Sequence, residues 1–154
     1  MRLSSLMDKA IQIENKLSEC YSKLSELSSD VALSRTLQKL ARDEIDHMNI
    51  LKAGKNYVVK MPALFEWKGL AGEEIEEGIK SCDELIYALE NKKMDLTQAL
   101  RLLYKLEIKF EQVHISNGVE IKEDFLRRMF DALVRGEQEH KEKLEVIIAN
   151  IDFA

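Results

Sequence analysis

The stretch Asp43-Glu44-Ile45-Asp46-His47 contains a Glu-x-x-His pair, and side chains three residues apart share one face of a helix. A second such pair, Glu137 and His140, lies 93 positions further on. The same offset carries Glu14 onto Glu107. Each half of the chain therefore reads Glu, a second Glu thirty residues on, and a His three further. The chain has only 3 histidines and two of them fall in these pairs, so chance is a poor explanation.

Apolar residues recur around all six positions with the three-four spacing of a helix face that meets a core. The first stripe runs Leu3, Met7, Ala10, Glu14, Leu17, Tyr21, Leu24, and the second Leu33, Leu37, Leu40, Glu44, His47, Leu51. The third runs Leu96, Leu100, Leu103, Glu107, Phe110, His114. The fourth runs Leu126, Phe130, Leu133, Glu137, His140, Leu144, Ile147, Ile151. In each stripe a glutamate interrupts the apolar face rather than the wet one. Four carboxylates in one core repel one another, and each loses several kcal/mol of hydration. Repulsion of this kind is expected to raise their pKa values. Too few basic residues lie on the stripes to balance them, whereas a pair of divalent or trivalent metal ions would. The competing reading is a metal-free bundle with buried salt bridges.

This pattern resembles the ligand set of the ferritin-like di-iron carboxylate proteins, and within them the rubrerythrin-like branch. That set is one Glu from each of two helices and a Glu-x-x-His from each of the other two. The resemblance covers the whole chain. It implies an all-α fold: a ferritin-like four-helix bundle, one domain over residues 1–154, with a long crossover between helices two and three. It also implies two iron ions held by Glu14, Glu44, His47, Glu107, Glu137 and His140. Carboxylates and imidazoles suit manganese as well as iron, and zinc is not excluded by ligand type. Either Glu44 and Glu107 or Glu14 and Glu137 would bridge or cap the ions, roughly 3.5–4 Å apart. His47 would bind one ion and His140 the other.

Around these six, three further positions are informative. In rubrerythrin-like proteins a tyrosine at the position of Tyr21 hydrogen-bonds a ligand carboxylate, which makes Tyr21 the candidate catalytic residue. Asp43 either orients a ligand histidine across the bundle, His140 being the candidate, or is a surface acid. Its counterpart in the other half is Gly136, which has no side chain to offer, and that asymmetry suggests two inequivalent metals. His114, the counterpart of Tyr21, reads as a core or rim histidine, with a hydrogen bond to a ligand or ligation itself as alternatives.

The chain also departs from the pattern it resembles. Cys20 and Cys82 make no Cys-x-x-Cys, so the rubredoxin module is missing and electrons would come from a separate donor protein. Phe110 stands where rubrerythrins tend to carry an extra glutamate. Ile45 replaces the haem-binding Met of bacterioferritin, so haem is not supported, and Met48 and Met129 read as packing. Three functions follow. The first is an oxidoreductase that reduces peroxide or dioxygen. The second is a ferroxidase that takes ferrous iron into storage. The third is a structural bundle that keeps the ligands as a relic. Family inference adds a homodimer.

Composition is consistent with a single soluble domain, at 45% hydrophobic and 33% charged residues. The net charge of −5 argues against nucleic-acid binding. No apolar run reaches the roughly 18 residues of a membrane span. Met1-Arg2-Leu3-Ser4-Ser5 leads straight into an amphipathic helix, so no membrane association and a cytoplasmic location are expected.

In chain order, the sequence predicts a helix over 4–27, a turn at Ser28-Ser29-Asp30 with Asp30 as N-cap, and a second helix over 31–53 capped by Gly54. Glu14 and Glu44 are equidistant from that turn and should meet at one height. Residues 54–91 hold the only Pro, the only Trp and four of the 6 Gly. They read as a crossover with short helical pieces at 73–80 and 83–90. Asp95 is the expected N-cap of a third helix ending near Asn117-Gly118, and a fourth is expected over 121–151.

Overall fold

The computed structural model describes residues 3–61, 65–67, 72–111, 119–121 and 124–153. Five helices account for most of them: α1 (Leu3–Leu27), α2 (Val31–Lys60), α3 (Gly72–Glu90), α4 (Leu96–Glu111) and α5 (Asp124–Phe153). Two three-residue strands, β1 (Phe65–Trp67) and β2 (Val119–Ile121), pair antiparallel with Glu66 opposite Glu120. The fold is thus all-α apart from this small ladder. No helix among the described residues is long and apolar enough to cross a membrane.

Short polar residues set the helix starts. Asp30 Oδ1 accepts from Leu33 N at 3.1 Å, which caps α2 as expected. Asp95 Oδ1 accepts from Gln98 N at 2.8 Å, and Gln98 Oε1 accepts from Asp95 N at 3.1 Å, a reciprocal capping box for α4.

α1 and α2 form an antiparallel hairpin whose register is pinned by serines. Ser25 and Ser34 hydroxyls lie 2.9 Å apart, and Ser18 Oγ donates to the Ala41 carbonyl at 2.9 Å. These pairs are equidistant from the turn, which brings Glu14 level with Glu44 and His47. α4 and α5 pack on each other, with Tyr104 Oη donating to Glu145 Oε1 at 2.6 Å. α2 packs on α5 and α1 on α4, so four helices share one core. Leu17, Leu24, Leu37, Leu40, Leu51, Leu100, Leu103 and Leu144 are all fully buried there. Each contributes on the order of 1.5–3 kcal/mol of transfer free energy.

Residues 54–91 differ from the expectation in two ways. Gly54 does not end α2; it is buried inside the helix, which runs on to Lys60. The chain stops being helical only just before Pro62, whose ring disfavours helical backbone in the preceding residue. Further on, the two expected short pieces are one helix of 19 residues. Its buried stripe of Ile75, Ile79, Cys82, Leu85 and Leu89 continues across the supposed break. Ser81 donates back to the Glu77 carbonyl at 3.0 Å inside this helix, which takes up its hydroxyl without a break. α3 lies against α1 in the same direction, since Lys9 pairs with Glu76 and Lys16 with Asp83 at one constant offset. Glu73, Glu74, Glu76 and Glu77 all face solvent. Finally, Ile121, the expected start of the last helix, lies in a strand instead, and that helix begins at Asp124.

Gly78 on α3 meets Phe110 on α4: a Cβ at Gly78 would fall 1.7 Å from Phe110 Cζ. Phe110 therefore fills the contact between the outer helix and the core.

Candidate metal centre

The interrupting glutamates are in the interior. Glu14 and Glu44 are fully buried, and Glu107 and His140 nearly so. His140 on α5 reaches across to two successive residues of α2. Its Nδ1 lies 2.8 Å from Glu44 Oε1 and its Nε2 lies 3.0 Å from Asp43 Oδ2. His47 Nδ1 sits 3.5 Å from Glu44 Oε2 and 3.6 Å from Glu14 Oε2. The two imidazole centroids are 5.1 Å apart. Tyr21 Oη donates to Glu107 Oε1 at 2.7 Å, and the Tyr21 ring stands edge-on to His140 with centroids 6.4 Å apart. All these side chains thus belong to one cluster.

The electrostatics corrects one expectation. Burial pushes the Glu44 carboxyl up, but its contacts with Glu14, His140 and His47 outweigh burial and hold it well below the usual carboxylate range. Carboxylate repulsion alone would have the opposite sign. At Glu44 the hydrogen bond with Glu14 is the largest lowering contact, and His140 and His47, one from each Glu-x-x-His motif, add to it. Asp43 behaves alike: partial burial raises its pKa, while hydrogen bonds from His140 and then Lys39 bring it below the ordinary value.

Glu44, His47 and His140 each offer a donor atom, and these three atoms lie within 4.8 Å of one another, all on buried residues. Donors about 2.1 Å from an ion lie roughly 3.0–3.4 Å apart at octahedral or tetrahedral angles. Glu44 lies near both histidines on that scale, with Oε1 2.8 Å from His140 Nδ1 and Oε2 3.5 Å from His47 Nδ1. A mixed oxygen and nitrogen donor set of this size suits a divalent transition metal. The group can therefore hold a metal ion.

The structure brings together Glu14, Glu44, His47, Glu107, His140 and Tyr21. Glu137 stands on α5 three residues before His140, but its side chain lies outside the described residues, as does all of His114. Asp43 meets His140, which resolves the choice between orienting group and surface acid in favour of contact. Lys39, which the sequence reading passed over, sits 3.1 Å from Asp43 Oδ2. Its spacing four residues before Asp43 was the available signal. Gly136 faces the outer edge of His47: a Cβ there would lie 2.7 Å from Nε2. Cys20 and Cys82 are buried free thiols between α1 and α3, with Cys20 Sγ 3.8 Å from the Cys82 carbonyl oxygen. The hydrogen bond between the thiols, and then burial, push the Cys20 thiol far up, which makes it inert packing.

No protein-family model matches this chain, and neither the curated proteins nor the solved structures contain a match. The functional reading therefore rests on the geometry and the ligand pattern.

Proposed function

We propose that the chain is a di-iron carboxylate oxidoreductase of rubrerythrin-like type, a ferritin-like four-helix bundle that reduces peroxide or dioxygen. The observation that carries this reading is the convergence of Glu44, His47 and His140 in a buried cluster, with Glu14 against His47. In the proposal Glu14, Glu44, His47, Glu107, Glu137 and His140 hold two metal ions. Bound iron would supply one electron per ion to the oxidant.

The chain's own groups have distinct tasks. Asp43 holds His140 by its outer nitrogen, so that Nδ1 is aimed at the cluster. Tyr21 holds Glu107 through one oxygen. The surrounding leucines exclude water, which strengthens every polar contact inside. Electrons come from a separate donor protein, because the two cysteines are buried between α1 and α3 and build no iron site of their own.

Metal analysis of protein purified without oxygen tests the proposal directly. About two iron ions per chain, lost in the Glu44→Ala, Glu137→Ala double variant, is the expected result. The reduced protein should then be oxidised by peroxide or dioxygen while the particle remains small. A shell of many subunits that accumulates iron would replace this reading with the ferroxidase alternative. Zinc alone, with no oxidation by either oxidant, would end the oxidoreductase reading.

A further inference from the structure

Glu14, Glu44 and Glu107 are sealed from solvent, so an incoming ion must pass the protein somewhere. A surface pocket of about 160 Å³ reaches the cluster, with buried His47 and His140 at its floor and exposed Asp46, Glu139 and Lys39 at its rim. Gly136 lines it, and a Cβ at that position would lie 2.7 Å from His47 Nε2 and 3.5 Å from Cε1. The pseudo-symmetric position in the other half is Asp43, whose carboxylate covers Nε2 of His140 at 3.0 Å. One histidine edge is therefore covered by a side chain. Nε2 of the other, His47, packs against Gly136 at the wall of the pocket.

We propose that this pocket is the passage by which a divalent cation reaches the centre from solvent. This rests on reading Glu44, His47 and His140 as metal ligands. The pocket leads to His47 and His140, and Asp46 and Glu139 set the sign of the charge at the mouth. Lys39 is engaged by Asp43 at 3.1 Å, which offsets its own charge there. A negatively charged mouth raises the local concentration of cations and speeds their capture without changing the contacts made at the end.

The test is stopped-flow uptake of Co2+ by the metal-free full-length protein, followed by its visible absorption. In the Asp46→Lys, Glu139→Lys double variant, uptake should slow about tenfold or more at low salt, with final occupancy and affinity unchanged. The difference should vanish near 1 M salt, where the screening length is about 3 Å. The Asp46→Asn, Glu139→Gln double variant should slow uptake by a smaller factor than the charge reversal, again only at low salt, because it removes the negative charge at the mouth without making it positive. Unchanged uptake rates in both variants, with full occupancy, would overturn the passage while leaving the metal centre standing. A wild-type chain that takes up no Co2+ would overturn the metal centre itself, and the passage with it.

Discussion

His140 Nε2 lies 3.0 Å from Asp43 Oδ2, so a residue of α5 is held from outside by the residue that directly precedes Glu44 on α2. The same imidazole turns its Nδ1 toward Glu44 at 2.8 Å. Groups that grip the far nitrogen of a metal-binding histidine fix its orientation and raise its basicity, and removing them typically costs 10–100-fold in affinity. Asp43→Asn is therefore expected to weaken Co2+ or Zn2+ binding by about one to two orders of magnitude with little change in fold. Competitive titration against a chromophoric chelator measures it. An affinity equal to wild type would reduce Asp43 to a surface acid that happens to lie near the ring.

The lowered pKa values of Glu44 and Asp43 set the sign of these two groups' own contribution to the pH dependence of stability. Both groups are more acidic folded than in the unfolded chain, where carboxyls titrate at about 3.9–4.3. Their stabilisation is complete above about pH 5 and is lost as pH falls toward the folded values, because the unfolded chain then binds more protons. The Tm of the metal-free protein should therefore fall from pH 5 to pH 3. The slope should be shallower in Asp43→Asn, which removes one of the two groups. A Tm that rose over that window would mean repulsion among the buried acids dominates.

Gly78 and Phe110 give a prediction that does not involve metal. A Cβ at position 78 would overlap the Phe110 ring, with 1.7 Å to Cζ and 2.3 Å to Cε1. Phe110 is fully buried, so either its ring must shift within the core or α3 must move from α4. Overpacking of this kind costs typically 1–3 kcal/mol. Gly78→Ala should be destabilised by about that amount in denaturant unfolding, even though Ala is the better helix former. Combining it with Phe110→Leu should recover part of the loss. Additive costs in the double variant would show that the two positions are not coupled.

Periodicity made the helical class, the α1–α2 turn, both N-caps and the inward direction of Glu14, Glu44, Glu107 and both histidines legible. Each of these is set by local spacing or by one capping side chain. What escaped was decided between distant parts of the chain. Gly54 carries a local stop signal, yet it is buried and α2 runs past it. α3 is one helix because its stripe of Ile75 to Leu89 has α1 to pack on, a surface invisible from residues 73–90 alone. The pairing of Phe65–Trp67 with Val119–Ile121 joins segments more than fifty positions apart. The lowered pKa of Glu44 depends on which nitrogen faces which oxygen, and spacing does not specify that.

Tyr21 connects the fold to the proposed chemistry. It is fully buried, follows Glu14 by two helical turns, and donates to Glu107 Oε1 at 2.7 Å. A hydrogen bond to a charged partner contributes about 1.5–3 kcal/mol. Tyr21→Phe keeps the ring and deletes only the donor, so the metal-free protein should lose stability of that order in denaturant unfolding. If the bond to Glu107 strengthens only as the reaction proceeds, its loss also slows oxidation of the reduced, metal-loaded protein. About 1.4 kcal/mol corresponds to tenfold in rate, so a tenfold to hundredfold slowing by peroxide is expected. Stopped-flow oxidation under pseudo-first-order peroxide reads this directly, with metal content checked in the same sample. A full metal complement with an unchanged rate would leave Tyr21 as a packing residue whose hydroxyl serves stability alone. A slowed rate with lost metal would make it a support for Glu107 as a ligand rather than a participant in the reaction.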